Sequence, residues 1–242
     1  MPRSKPLRVD VITIFPEVIE PYFKASILKR GQEKKLLDLR AHQLRTWTHD
    51  NHHTVDDKPF GGGPGMVMKV QPFHEALVAL GVRNKDGKKP ASAKKTRVIL
   101  TSAKGKTFSQ QEARRLTQYD RLVFLCGRYE GIDERVAEHL ADEELSIGNY
   151  VLTGGELAAM VMTDAVARLR PGVLGQQESL TMESHDEEGV LEYAQYTRPD
   201  VYPINKKKSW NVPDILLSGD HKKIREWREA LSKKTSDRST EV

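Results

Sequence analysis

Three short runs narrow what this chain can fold into. "LRVDVITIF" (7–15), "TRVILTSAKG" (96–105) and "RLVFLCG" (121–127) are dense in β-branched and aliphatic residues, and each stops at or just before a proline or glycine. They read as buried strands. "LLDLRAHQL" (36–44) alternates apolar and polar residues like a further strand, and "LSIGNYVLTGG" (145–155) is strand-like. Helical segments lie between them: "EVIEPYFKASILKRG" (17–31), "QPFHEALVALG" (71–81), "SQQEARRLTQYD" (109–120), "DERVAEHL" (133–140) and "ELAAMVMTDAVARLRPG" (156–172). Pro72 suits a first helical turn, Gly81 a helix end, and Ser109 with Glu112 has capping-box spacing. In the segment after Gly155, Leu157, Val161, Ala165 and Leu169 recur at helical spacing and are expected to face a core. This alternation predicts an α/β domain with a mainly parallel sheet, whose ligand sits beyond the strand C-termini.

Elsewhere the texture changes. "VRNKDGKKPASAKKT" (82–96) is lysine-rich without apolar periodicity and reads as a mobile surface loop. After Pro171–Gly172, "VLGQQESLTMESHDEEG" is acidic and short of apolar residues, the mark of a linker. Then come Pro199, Pro203 and Pro213 in an irregular stretch, and a helix in which Ile224, Trp227 and Leu231 make one apolar stripe amid Lys222, Lys223, Arg225 and Arg228. The expected division is residues 1–174, a linker at 175–188, and a small helical domain at 189–242.

Lys and Arg total 39 against 34 Asp and Glu in 242 residues, a net charge of +5. Residues 205–234 alone hold nine basic and four acidic residues, so the whole surplus sits in the C-terminal part. That suits a polyanionic partner, with a solvated helix face as the simpler account. Cys126 is the one cysteine, which rules out an intrachain disulfide and a thiolate metal cage. Without a run of about 18 apolar residues or a signal peptide, the expectation is a cytoplasmic protein with no membrane partner.

The stretch "HDNHHTVDDKPFGGGPGM" (49–66) first resembles a metal site joined to a phosphate loop. Neither G-x-x-x-x-G-K-[ST] nor G-x-G-x-x-G fits its letters. His49, His52 and His53 lack a helix-face pattern such as H-E-x-x-H, so no dedicated metal site is expected. The loops "TSAKG", "CGRYEGIDERV" and "SIGNYVLTGGE" each join a strand end to glycines that let backbone approach closely. Together they predict a small-molecule pocket walled by backbone amides and carbonyls.

"TVDDKPFGGGPGM", "CGRYEGIDERV", "SIGNYVLTGGE", "RPGVLG", "YTRPD" and "LLSGDHKKIREWR" occur in the order found in the bacterial tRNA (guanine-N1-)-methyltransferases acting at G37, of the SPOUT class, and the chain resembles them from about residue 7 to 231. The resemblance implies a parallel α/β domain tied in a deep trefoil knot, a homodimer, and S-adenosyl-L-methionine as methyl donor with Mg²⁺ in the reaction. Gly127 and the run Ile147, Gly148, Asn149, Tyr150, Val151 and Leu152 would hold the adenosyl group, with Thr101, Ser102, Gly154 and Gly155 beside it. Many relatives have proline where this chain has Ala103. Removing the N1 proton of guanine needs a base, and charge building on O6 needs a cation. Arg168 matches the family's arginine. The usual E-D-S reads M-E-S here, putting Glu183 at the base position beside Ser184 and His185, with Asp186 as fallback. Glu130 matches a further active-site carboxylate. The tRNA anticodon stem-loop bearing G36–G37 would contact Arg198, Lys222, Arg225 and Arg228. Two alternatives stay open: a catalytically dead RNA-binding relative, and a SPOUT enzyme with another RNA target. The counterpart of 49–66 in relatives lines the cleft entrance, which implies a lip over the target base.

Overall fold

The computed structural model describes residues 5–174 and 191–239, with side chains in the last helix described to Ser232. It divides into two compact units, Met1–Gly175 and Gln176–Val242. The expected linker at 175–188, with Glu183, Ser184, His185 and Asp186, lies outside the described residues.

The first unit runs β1 (Leu7–Thr13), α1 (Pro16–Phe23), α2 (Ser26–Glu33), β2 (Leu37–Gln43), β3 (Asp56–Asp57), β4 (Val67–Met68), α3 (Val70–Ala79), β5 (Thr96–Thr107), α4 (Gln110–Leu116), β6 (Arg121–Cys126), α5 (Glu134–His139), β7 (Glu143–Ser146) and α6 (Glu156–Ala167). Five strands form one sheet in the order β2-β1-β6-β5-β7, and every pairing is parallel, as the alternating elements predict. Successive side chains of a strand point to opposite faces. In β6, Leu122 and Phe124 enter one core with Ile19, Phe23, Leu116 and Met162, while Val123 and Leu125 enter the other with Phe73, Leu77 and Val136. Both faces are covered by helices, which is why these strands read as unbroken apolar runs.

Several expectations need correction. The segment at 17–31 is two helices, because Ser26 adopts φ +43° and turns the chain between them. The extended run from residue 143 stops at Ser146 and the rest of 145–155 is loop. On α6, Leu157 and Val161 are 53% and 48% exposed, while Ala158, Ala159, Met162, Thr163 and Val166 make the buried face. Both stripes are apolar, so periodicity did not choose between them; the stripe that also carries the short Ala158, Ala159 and Thr163 faces the sheet, where it lets the helix lie close to β1 and β6. Ala165 and Leu169 do pack on the core, partly buried. The lysine-rich loop at 82–96 is anchored. Arg83 is buried and donates to the Leu140 carbonyl (2.6 Å) and Asp142 (2.8 Å), and Lys89 binds the same carboxylate at 2.7 Å. At Ser109 the cap is half made: its hydroxyl accepts from Glu112 N–H, but the Glu112 carboxylate turns to Lys106 and Arg115.

The second unit contains β8 (Val201–Asn205), β9 (Lys208–Asn211), α7 (Asp214–Leu217) and α8 (His221–Ser239). It is therefore not purely helical. The prolines made 199–213 look irregular, yet Pro203 is tolerated because β8 belongs to a two-stranded hairpin with no further strand, among the described residues, to receive its missing N–H. Ile224 and Trp227 are half-buried, as the stripe implies.

One buried charge ties the sheet together. Asp10 on β1 has no exposed surface and meets Arg8 (2.8 Å), His42 (2.7 Å) and Arg121 (2.6 Å). Burial pushes its carboxyl up, but the hydrogen bonds from His42 and Arg8 and the Arg121 charge outweigh this and hold it well below the usual carboxylate range. A depressed carboxyl stabilises the fold above its unfolded pKa, and that contribution fades as pH falls through the folded value. Asp10→Asn should therefore lower stability by about 3 kcal/mol at pH 7 and make the loss below about pH 4 shallower than in the parent, by Asp10's share of it. Urea denaturation across pH measures both; identical profiles for the two proteins would contradict the assignment.

Candidate functional site

A cavity of about 460 Å³ opens at the C-terminal ends of β5, β6 and β7. Its walls are the three glycine-bearing loops singled out in the sequence. Between Thr101 and Lys106 the β5–β7 register shifts, because Leu145 pairs with both, so residues 102–105 bulge out of the strand into the cavity wall. Loop 127–132 forms a second side and loop 146–155 the third.

Loop 146–155 closes the cavity by returning across the strand ends. Ser146 Oγ accepts from Gly148 N–H (3.2 Å) and donates to its carbonyl (3.0 Å), and the Tyr150 hydroxyl donates to the Ile147 carbonyl (3.2 Å). Gly155 N–H then donates to the Gly127 carbonyl at 3.0 Å. A Cβ on Gly155 would meet Thr101 Oγ1 and would stand 3.1 Å from Cys126 Cα, so only glycine allows this approach. The next residue fixes the crossing. Glu156 is buried, accepts from Thr13 Oγ1 at 2.6 Å, and receives Arg128 Nε at 3.0 Å. Arg128 also reaches Thr153 and lies over the Phe15 ring, 4.7 Å from its centroid. Its guanidinium thus joins loop, helix and β1.

Residues 49–66 make a lip beside this cavity. β3 and β4 pair antiparallel, and the tip between them takes positive φ at Gly61, Gly62, Gly63 and Gly65. Glu130 N–H donates to the Met66 carbonyl (3.0 Å) and Met68 N–H to the Gly131 carbonyl (2.9 Å), zipping the lip to loop 127–132. A Cβ on Gly65 would stand 2.7 Å from Glu130 Cδ, so the cavity-lining Glu130 rests against this glycine. The polar residues hold the loop. Asp50 accepts from Thr54 N–H and Oγ1, hydrogen bonds that pull its carboxyl down to about 2. His49 meets Glu75 at 3.0 Å, and His53 meets Thr48 at 3.2 Å.

Thr101, Ser102, Gly127, Ile147, Gly148, Tyr150, Val151, Leu152, Gly154 and Gly155 all line the cavity, and Asn149 does not. The Thr101 hydroxyl is already committed to the Leu125 carbonyl at 3.0 Å. Arg168 caps the far end of α6 and lies about 15 Å along the helix axis from Ala158 in the cavity wall. One chain therefore does not bring Arg168 and Glu130 together. Arg198, Lys222 and Arg225 are exposed, while Arg228 is half-buried over the Tyr193 ring at 4.9 Å.

Sequence reasoning missed Arg128, Glu156 and Glu144. The first two stood inside the motifs "CGRYEG" and "LTGGE", but nothing in spacing paired them. Glu144 lines the cavity, and its Oε2 is buried with no partner among the described residues. Burial pushes the Cys126 thiol well above its usual range, which suits a small core residue and not a nucleophile.

Removing Arg128 leaves the Glu156 carboxylate buried with one hydroxyl for company. Arg128→Met should lower stability by about 3 kcal/mol, and Arg128→Met/Glu156→Gln should recover much of it. Additive losses in urea denaturation would show that the pair is not coupled.

The model of the family described as tRNA (Guanine-1)-methyltransferase TrmD matches residues 7–241. The tRNA (guanine-N(1)-)-methyltransferase of Dehalococcoides mccartyi strain 195 is 50% identical over 222 residues, 92% of this chain and 84% of that protein. Those of Dictyoglomus turgidum and Methylacidiphilum infernorum are 49% and 46% identical, covering 94% and 96% of this chain and 86% and 94% of theirs. On this similarity across nearly its whole length, joined to a parallel α/β fold, the chain belongs to the tRNA (guanine-1)-methyltransferase family.

Proposed function

We propose that the chain transfers the methyl group of S-adenosyl-L-methionine to N1 of guanine 37 in tRNA, in the cytoplasm, as a homodimer knotted at its donor pocket. The observation that carries this reading is the cavity at the ends of β5, β6 and β7, whose three walls are the three glycine-bearing loops, two of them family motifs. Its size falls in the range of small-molecule sites. The residues fit the donor: glycine-rich backbone offers amides and carbonyls, Leu152 and Ile132 offer apolar surface, and Glu144 adds a carboxylate to the wall. The path of residues 147–155, from the edge strand β7 back to Gly127 at the end of β6, supports the knot.

When bound, the donor supplies an electrophilic methyl and its own leaving group. The protein must orient guanine N1 in line with that methyl and remove the N1 proton. Glu183 takes that proton, with Asp186 as the competing carboxylate, and Arg168 balances charge on O6. Glu130, held against the lip at Gly65, faces the donor cavity. The axial distance from Arg168 to its own cavity supports a site completed by a second copy. An exposed apolar surface favours the same reading: Leu157 and Val161 on α6, with Val18 and Tyr22 on the adjoining α1, are each 42–53% exposed. Arg198, Lys222 and Arg225 are the backbone contacts expected in the second unit.

Primer extension on a tRNA transcript bearing G36–G37 tests the reaction. A stop at 37 that depends on S-adenosylmethionine is expected, and Glu183→Gln should slow it by about 10²- to 10⁴-fold. Donor binding without any stop contradicts the activity, and full rate in Glu183→Gln with loss in Asp186→Asn moves the base to Asp186. Arg168→Ala mixed with Ala103→Trp, whose ring fills the cavity, should regain methyl transfer that neither parent shows if sites are shared between copies.

A further inference from the structure

The hairpin of the second unit has no part in the roles assigned above. Register sets Tyr202 directly across from Trp210, and the two rings stack with centroids 6.0 Å apart and planes 24° from parallel. Neither ring is covered: they are 53% and 63% exposed. Exposed aromatics usually occur singly, and a stacked pair facing water is a flat π surface without an occupant.

Charge tells what kind of occupant suits it. Lys206 and Lys207 form the turn and Lys208 opens β9, so three consecutive ammonium groups stand at the hairpin tip. The two-residue alternation of a strand puts Lys208 on the same face as Trp210. Among the described residues none of the three has a carboxylate partner. An aromatic platform with unneutralised lysines at one end is complementary to a stacked base followed by phosphates. A protein partner would match the apolar part but leave the lysines unanswered, unless it were strongly acidic.

We propose that the β8–β9 hairpin is a base-stacking site for the RNA substrate: an unpaired nucleotide lies on the Trp210–Tyr202 platform, and the neighbouring phosphates meet Lys206, Lys207 and Lys208. The site rests on the reading that the substrate is RNA and adds a contact outside the donor cavity. Stacking sets affinity and position without reading sequence, so it acts on RNA binding and not on the methyl-transfer step.

The test titrates the full chain with an anticodon stem-loop RNA, following tryptophan emission and the anisotropy of a label on the RNA. Trp210→Phe should keep affinity within about threefold, since a ring remains, yet lose most of the quenching that RNA causes in the parent. Trp210→Ala should weaken binding roughly ten- to hundredfold. Lys206→Gln/Lys207→Gln/Lys208→Gln should flatten the dependence of log Kd on log salt by about two. All three should bind S-adenosylmethionine like the parent in calorimetry. Parental RNA affinity in Trp210→Ala, or quenching that persists in Trp210→Phe, overturns the proposal, as does a parent that binds acidic protein but no RNA. If the parent fails to methylate N1 while Trp210→Ala still loses RNA, the methylation reading falls and the stacking site stands.

Discussion

One close backbone approach at the cavity is the point on which the rest depends. Gly155 lies against Cys126 and Thr101, and its N–H bonds the Gly127 carbonyl. This contact brings the chain from an edge strand back over the middle of the sheet. Without it, loop 146–155 would continue away from the strand ends and the cavity would lose its third wall. The Glu156–Arg128 pair holds the crossing from the next position. Burying that carboxylate is unfavourable alone, so its partners Thr13 and Arg128 must be in place at the same time. The consequence is cooperative: β1, loop 127–132 and α6 adopt their positions together.

The same economy of contacts shapes α6. Its sheet-facing side is built from Ala158, Ala159, Thr163 and Ala167, small enough to bring the helix onto β1 and β6. The larger Leu157 and Val161 are turned outward. Those two side chains leave an exposed apolar stripe on α6, which is the surface a second copy would cover in the proposed dimer. Asp10 at the centre of the sheet and Asp142 at the base of loop 82–96 serve the opposite purpose: each gathers cations from separated segments and fixes them.

Much of this was legible in the letters, for reasons that can be named. The strands β1, β5 and β6 are apolar on both faces because both faces are buried, so composition alone revealed them. The cavity loops were legible because glycine at a strand end has few other uses. The face of α6 was not, because two apolar stripes run along it and the choice depends on side-chain volume against the sheet. The 82–96 loop hid its anchor: Arg83 among lysines gives no sign that it is buried on Asp142. Nor did the prolines reveal the β8–β9 hairpin, since a two-stranded ribbon tolerates proline that a central strand would reject. The base proposed at Glu183 rests on family resemblance alone, since the residue falls outside those described.

Amide hydrogen exchange with and without S-adenosylmethionine tests the central claim most directly, namely that the returning loop and the two strand-end loops together form the donor site. The account predicts added protection in 101–105, 127–132 and 146–155, with β2 and the 82–96 loop unchanged. Protection confined to the second unit, or spread through the first unit while leaving 146–155 as it was, would contradict it.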